Sequence, residues 1–172
     1  MVIALISTIS IGMLFFVSGL AKVFYLDKSS AFLVGLDILP KNVSIAIGYI
    51  FPFLELVVGV GLILQGNNIF VNIVAFGVIT VFLLTHFRAI IQNNLQDCFC
   101  FGKLLTEKLG FGGVIQCSLM ILAILPNIFF DGMSLLSFYQ SNNITLFIVT
   151  LIVASFFAIT LILVRHVNEK FY

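Results

Sequence analysis

Residues 69–91 read IFVNIVAFGVITVFLLTHFRAII, a run with no acidic residue and nothing basic before His86 and Arg88 near its end. A bilayer hydrocarbon core is crossed by about 20 predominantly apolar residues in helical form, so this run is long enough to span one. Four further stretches, at about 2–24, 44–64, 110–130 and 143–164, meet the same requirement. The whole chain agrees, with 62% hydrophobic and 9% charged residues and a mean hydropathy of +1.26, a composition foreign to soluble domains. The sequence therefore predicts an all-α, polytopic transmembrane helix bundle of four to five spans. The fourth is the weakest, because Gln116, Pro126 and Asn127 interrupt it.

Continuous apolar runs do not alternate with period two, which argues against a membrane β-barrel. Helices are the other way to satisfy backbone groups in lipid. The first segment has no basic leader and no small-residue cleavage site before Lys22, so it reads as a retained anchor. The polar segments 25–43 and 92–109 are too small to bury cores of their own, and residues 1–172 read as one integral membrane domain. A net charge of +1 gives nucleic acid no basic surface to bind.

The basic residues are distributed unevenly. With the N-terminus outside, Lys22, Lys28, Lys41, Arg88, Lys103, Lys108, Arg165 and Lys170 all fall on the cytoplasmic side. The loops near Gly66 and from Asp131 to Asn143 carry no Lys or Arg. The positive-inside rule then predicts a multi-pass protein of the inner (plasma) membrane with the loop between the third and fourth spans in the cytoplasm.

That loop holds DCFCFG, residues 97–102, with Cys98 and Cys100 one residue apart. Thiolate is the reactive form of cysteine and nearby positive charge favours it; Arg88, Lys103 and Lys108 supply such a field, while Asp97 opposes it. Side chains two apart on an extended chain point the same way, with Cα atoms near the upper limit of about 6.8 Å for a disulfide. A bridge between them would be strained, and strained bridges are easily reduced. This suits electron exchange better than stapling. Two other readings stay open: a soft-metal site for Cu(I) or part of a zinc site, with Cys117 and His86 as the remaining candidate ligands, and inert loop cysteines. The redox reading needs no metal at these residues.

DCFCFG resembles the Asp-Cys-x-Cys-Phe-Gly signature of the MauE branch of the DoxX-like membrane proteins. SGLAK at 18–22, LDILP at 36–40 and PFLELVVGVGLILQG at 52–66 resemble the end of that family's first helix, its first loop and its second helix. The similarity covers roughly residues 10–130, and it departs at Phe99, where the family often carries Gly. The resemblance implies a redox-associated helper of disulfide formation or electron transfer, working beside a thioredoxin-like or other cysteine-containing partner. With every cysteine near one membrane face, passing electrons across the bilayer would call for a membrane quinone, a partner protein or the opposite topology.

Within the membrane, Glu55 is the costliest residue, since a carboxylate at the centre of a span costs about 2.5–3.5 kcal/mol on insertion scales. Its candidate partners are Lys22, His86 and Arg88, with Lys22 reaching inward. Glu55 reads either as a proton-handling or quinone-contacting group or as interhelical glue. Pro52, one turn earlier, marks a place where the helix opens. His86 offers a proton-transfer group near the thiol loop, and Cys117, early in the fourth span, a third thiol or merely a small buried hydrophobe. His166 reads as solvated. Ser18, Gly19, Ala21, Gly59 and Gly61 allow close helix approach. KLLTEKLG at 103–110 fits a surface segment with Leu104, Leu105 and Leu109 toward lipid and Lys103 paired with Glu107. Hydrolase and nucleotide-binding motifs are missing. The fourth and fifth spans carry almost no polar groups, which argues against a channel.

Two functions follow. One is a membrane thiol–disulfide redox protein using Cys98 and Cys100, aided by Cys117, Glu55 and His86. The other is a non-enzymatic accessory protein for maturation or export of a partner.

Overall fold

The structure, a computed structural model, describes residues 2–36, 38–92, 97–98, 107–129, 134–141 and 144–171. In chain order the elements are α1 (Val2–Val23), α2 (Leu26–Gly35), α3 (Lys41–Leu64), α4 (Ile69–Ile91), β1 (Asp97–Cys98), β2 (Glu107–Lys108), α5 (Phe111–Phe129), α6 (Leu135–Ser141) and α7 (Ile144–Phe171). Five of them, α1, α3, α4, α5 and α7, are long and apolar enough to cross a membrane. This is the expected all-α polytopic bundle.

Local chemistry sets the ends. Asn68 caps α4, its Oδ1 accepting the Phe70 N–H at 2.9 Å, which satisfies one of the donors a helix start leaves open. Along the spans, hydroxyls bond back to their own helix: Thr80 to the Phe76 carbonyl and Ser118 to that of Val114, both at 2.8 Å. Such bonding hides polar groups where lipid offers no partner.

α1 packs most extensively on α3, and glycine permits it. A Cβ on Gly59 would lie 2.7 Å from the Phe16 nitrogen and 2.9 Å from the Gly12 carbonyl oxygen, so the two backbones touch. α4, α5 and α7 close round this pair. Phe15, Leu62, Ile79, Ile124 and Leu161, one from each span, meet in a common apolar core. A second cluster joins Leu5, Ile9, Phe138 and Ala154, so that α6 plugs the opposite end of the bundle. The outward faces keep Val57, Leu84, Leu122 and Phe156 exposed, an apolar surface of the kind a bilayer covers.

Segment 25–43 holds α2, which packs against α3, with the Tyr49 hydroxyl donating to Asp27 Oδ1 at 2.7 Å. The expected surface segment at 103–110 is corrected. Leu109 does not face lipid; it is 1% exposed, packed with Leu36 and Ala89. Glu107 and Lys108 form a strand, pairing antiparallel with β1 in the register Asp97↔Lys108 and Cys98↔Glu107, while Lys103, Leu104 and Leu105 lie outside the described residues. Leu109 is turned inward where an amphipathic pattern alone would leave it on the surface.

Candidate functional site

Glu55, in the interior of α3, is fully buried. Its Oε1 accepts from Lys22 Nζ at 2.5 Å, and the Ser18 hydroxyl lies 3.4 Å from Oε2. Lys22 and Ser18 stand one turn apart on α1, so both reach the same carboxylate. Lys22 sits at the end of its helix, where a lysine usually extends to the interface; here it turns inward instead. Its ammonium also lies 4.9 Å from the Phe82 ring centroid and 5.7 Å from that of Phe51, and the two rings meet edge to face. Charge, hydroxyl and ring faces together offset the loss of water around the pair.

His86, near the end of α4, is 1% exposed. Its Nδ1 accepts the Gly110 N–H at 3.3 Å. The ring rests directly on Gly113, where an added Cβ would fall 1.9 Å from Cε1. On α5, Gln116 accepts from Arg165 Nη1 at 3.4 Å, and Arg165, on α7, is 2% exposed. Cys117 is a buried free thiol.

These groups share one cavity of about 50 Å³, lined by Ser18, Glu55, His86, Gln116, Cys117 and Arg165 and walled by apolar side chains including Phe15 and Met120. Each of the five spans contributes to it.

The sequence-predicted residues thus divide. Glu55, His86 and Cys117 converge on the cavity, and Lys22 is the partner of Glu55. Arg88 and His166 are exposed. Cys98 lies on β1, tied to the bundle through β2, Leu109 and the Gly110–His86 hydrogen bond. Cys100 and Phe99 lie outside the described residues.

Sequence reasoning missed Gln116 and Arg165 as parts of the site, and the view that the last two spans lack polar groups is corrected by them and by Asn127, all buried. Arg165 was placed just beyond a span ending at 164, but α7 runs on to Phe171, which carries Arg165 inside. Lys22 and Arg165 are therefore buried charges rather than part of a solvent-facing basic rim.

Comparison with curated proteins and with solved structures finds no match. The profile of a family described as methylamine utilisation protein MauE matches residues 1–130, a segment that holds Ser18, Lys22, Glu55, His86, the Cys98/Cys100 loop, Gln116 and Cys117 but stops short of Arg165. With four of its five spans inside that match, the chain belongs to the MauE family.

Proposed function

We propose that this protein is a membrane-embedded thiol–disulfide exchange protein in which Cys98 and Cys100 exchange electrons with a thioredoxin-like or other cysteine-containing partner. The observation that carries the reading is the placement of Cys98. Its strand is paired with β2, and the residues just after β2 are anchored by the buried Leu109 and by His86, which also lines the cavity beside Glu55. A cysteine-bearing strand joined through Gly110 to a buried histidine that neighbours other ionisable groups supports chemistry over stapling.

In the exchange, one thiolate of the pair attacks a sulfur of the partner's disulfide and a mixed disulfide forms. The second cysteine then attacks the first sulfur, leaving the Cys98–Cys100 bridge here and two thiols on the partner. The reverse sequence reduces the pair at a partner's expense. His86 acts as a positioning residue for the loop, and Cys117 as a nearby third thiol. No step is routed through a quinone.

The family's description points to methylamine utilisation as a setting, with the exchange serving maturation of a partner in the inner membrane. Lys28, Lys41 and Arg88 are exposed at the end of the bundle that carries the thiol loop, which supports a cytoplasmic loop and an outside N-terminus.

Trapping thiols in cells with a mass-adding alkylating reagent, with and without prior reduction, tests the reading. The Cys98→Ser or the Cys100→Ser chain is expected to accumulate a reducible adduct with another protein, because its resolving thiol is gone. If both variants form no adduct and the native pair stays reduced under oxidative stress, the protein is a non-enzymatic accessory for a partner's maturation.

A further inference from the structure

The cavity is ringed by charged residues, yet the wall it presents to a guest is almost entirely apolar. Their polar atoms are turned to one another: Lys22 and Ser18 to Glu55, Arg165 to Gln116, and His86 Nδ1 to the Gly110 N–H. What faces the space is chiefly the hydrocarbon of Leu14, Phe15, Ile79, Phe82 and Met120. Apolar cavities in proteins stay dry and take apolar guests. At roughly 10–15 Å³ for each water-sized body, the volume of about 50 Å³ admits a guest of roughly four heavy atoms. Phe15, Ile79 and Met120 stand near the middles of their helices, which places the space within the hydrocarbon core of a bilayer.

Among the described residues that line it, Phe82 alone is only half-buried, so this side chain separates the cavity from the outside. Its ring meets Phe51 of α3 edge to face, with centroids 5.4 Å apart, and lies 4.9 Å from the Lys22 ammonium. The seam closed by the two rings is a weak one, because α3 and α4 touch each other far less than α3 touches α1 or α4 touches α5. Pro52, next to Phe51, gives no N–H to the Gly48 carbonyl, and α3 can bend there.

We propose that this cavity is a binding site for a small, wholly apolar molecule from the bilayer core, and that Phe82, held by Phe51 and Lys22, is its side door between α3 and α4. The chemistry admitted is that of hydrocarbon, supplied either by the end of a lipid chain or by a free apolar solute of similar girth. A polar headgroup gains nothing there, because the accessible wall offers it no partners. The site does not depend on the thiol exchange proposed above.

The full chain in lipid nanodiscs is irradiated with diazirine gas, or with phosphatidylcholine carrying a diazirine at the chain end, and the carbene adducts are located by peptide mass spectrometry. Ile79 and Phe15, 1% and 3% exposed, line the cavity, whereas Leu62 and Ile124, both 0% exposed, lie in the same core without lining it. Burial alone gives all four the same low labelling; a guest site gives the first pair at least about fivefold more than its close-packed neighbours. Label from the lipid probe identifies a chain end, and label from the gas alone a free solute. Cys117→Leu, which fills the space, should bring Ile79 and Phe15 down to the level of Leu62. Phe82→Ala should raise them further, with unfolding temperatures in the same nanodiscs showing that each variant keeps its fold. Equal labelling of the two pairs by both probes in the unaltered chain overturns the site, and this result needs no variant. Labelling that ignores Cys117→Leu also overturns it, and labelling unchanged by Phe82→Ala overturns the door.

Discussion

His86 occupies the space that a side chain at position 113 would need. Gly113→Ala should therefore force the ring aside, at a cost of about 1–3 kcal/mol from overpacking, and release the Gly110 N–H that it holds. Thermal unfolding in detergent should show a lowered midpoint, and proteolysis of the 93–108 loop should speed up. Lys22→Ala should be worse. It strands Glu55 as a buried charge, a change that costs about 3–5 kcal/mol, whereas Lys22→Met/Glu55→Leu should recover much of the loss; an equal loss in both variants would argue against the ion pair. At this scale the sequence was informative where a residue was out of place. A carboxylate in an apolar helix requires a partner, so Glu55 pointed to Lys22, His86 and Arg88, of which Lys22 is the one paired with it. Arg165 sent no such signal, since an arginine at the end of an apolar run ordinarily marks the interface. Only the packing of α7 against α1 and α5 turns it inward.

Among the elements, the five spans were legible because twenty-residue apolar runs have few alternative fates in water or lipid. α2 was not, as a ten-residue helix of mixed polarity resembles a loop until α3 is present to bury Ser29 and Ser30. The two-residue strands carry too little pattern to be read at all. The α1–α3 contact gives a sharp test. Gly59→Val should drive the helices apart and lower the unfolding midpoint, because its Cβ would meet backbone atoms of α1. Gly77→Val makes the control: nothing lies within 4 Å of that position, and the substitution should be close to neutral. Equal effects at the two sites would mean that this backbone contact does not set the packing.

For the whole molecule, the exposed Val57, Leu84, Leu122 and Phe156 require lipid around the bundle. If all five helices cross, the proposed topology has the two termini on opposite sides and the thiol loop on the side of α7's C-terminal end. An impermeant maleimide should label the loop cysteines only after the cell is opened. Labelling in intact cells would reverse the assigned orientation. Two of the eight basic residues that suggest the proposed orientation, Lys22 and Arg165, are buried in the bundle, so the proposal rests on the other six.

Lys22 and Glu55 are 33 residues apart in the chain, and this separation imposes an order on biogenesis. When the first span enters the bilayer, its lysine is near a helix end and can reach the headgroups; the acid that will hold it has not yet been translated. Once the second long span is in place, the ammonium can pair with the protein carboxylate. The pair thus acts as a late-closing latch, and newly made chains with an unlatched lysine should be the ones that membrane quality-control proteases remove.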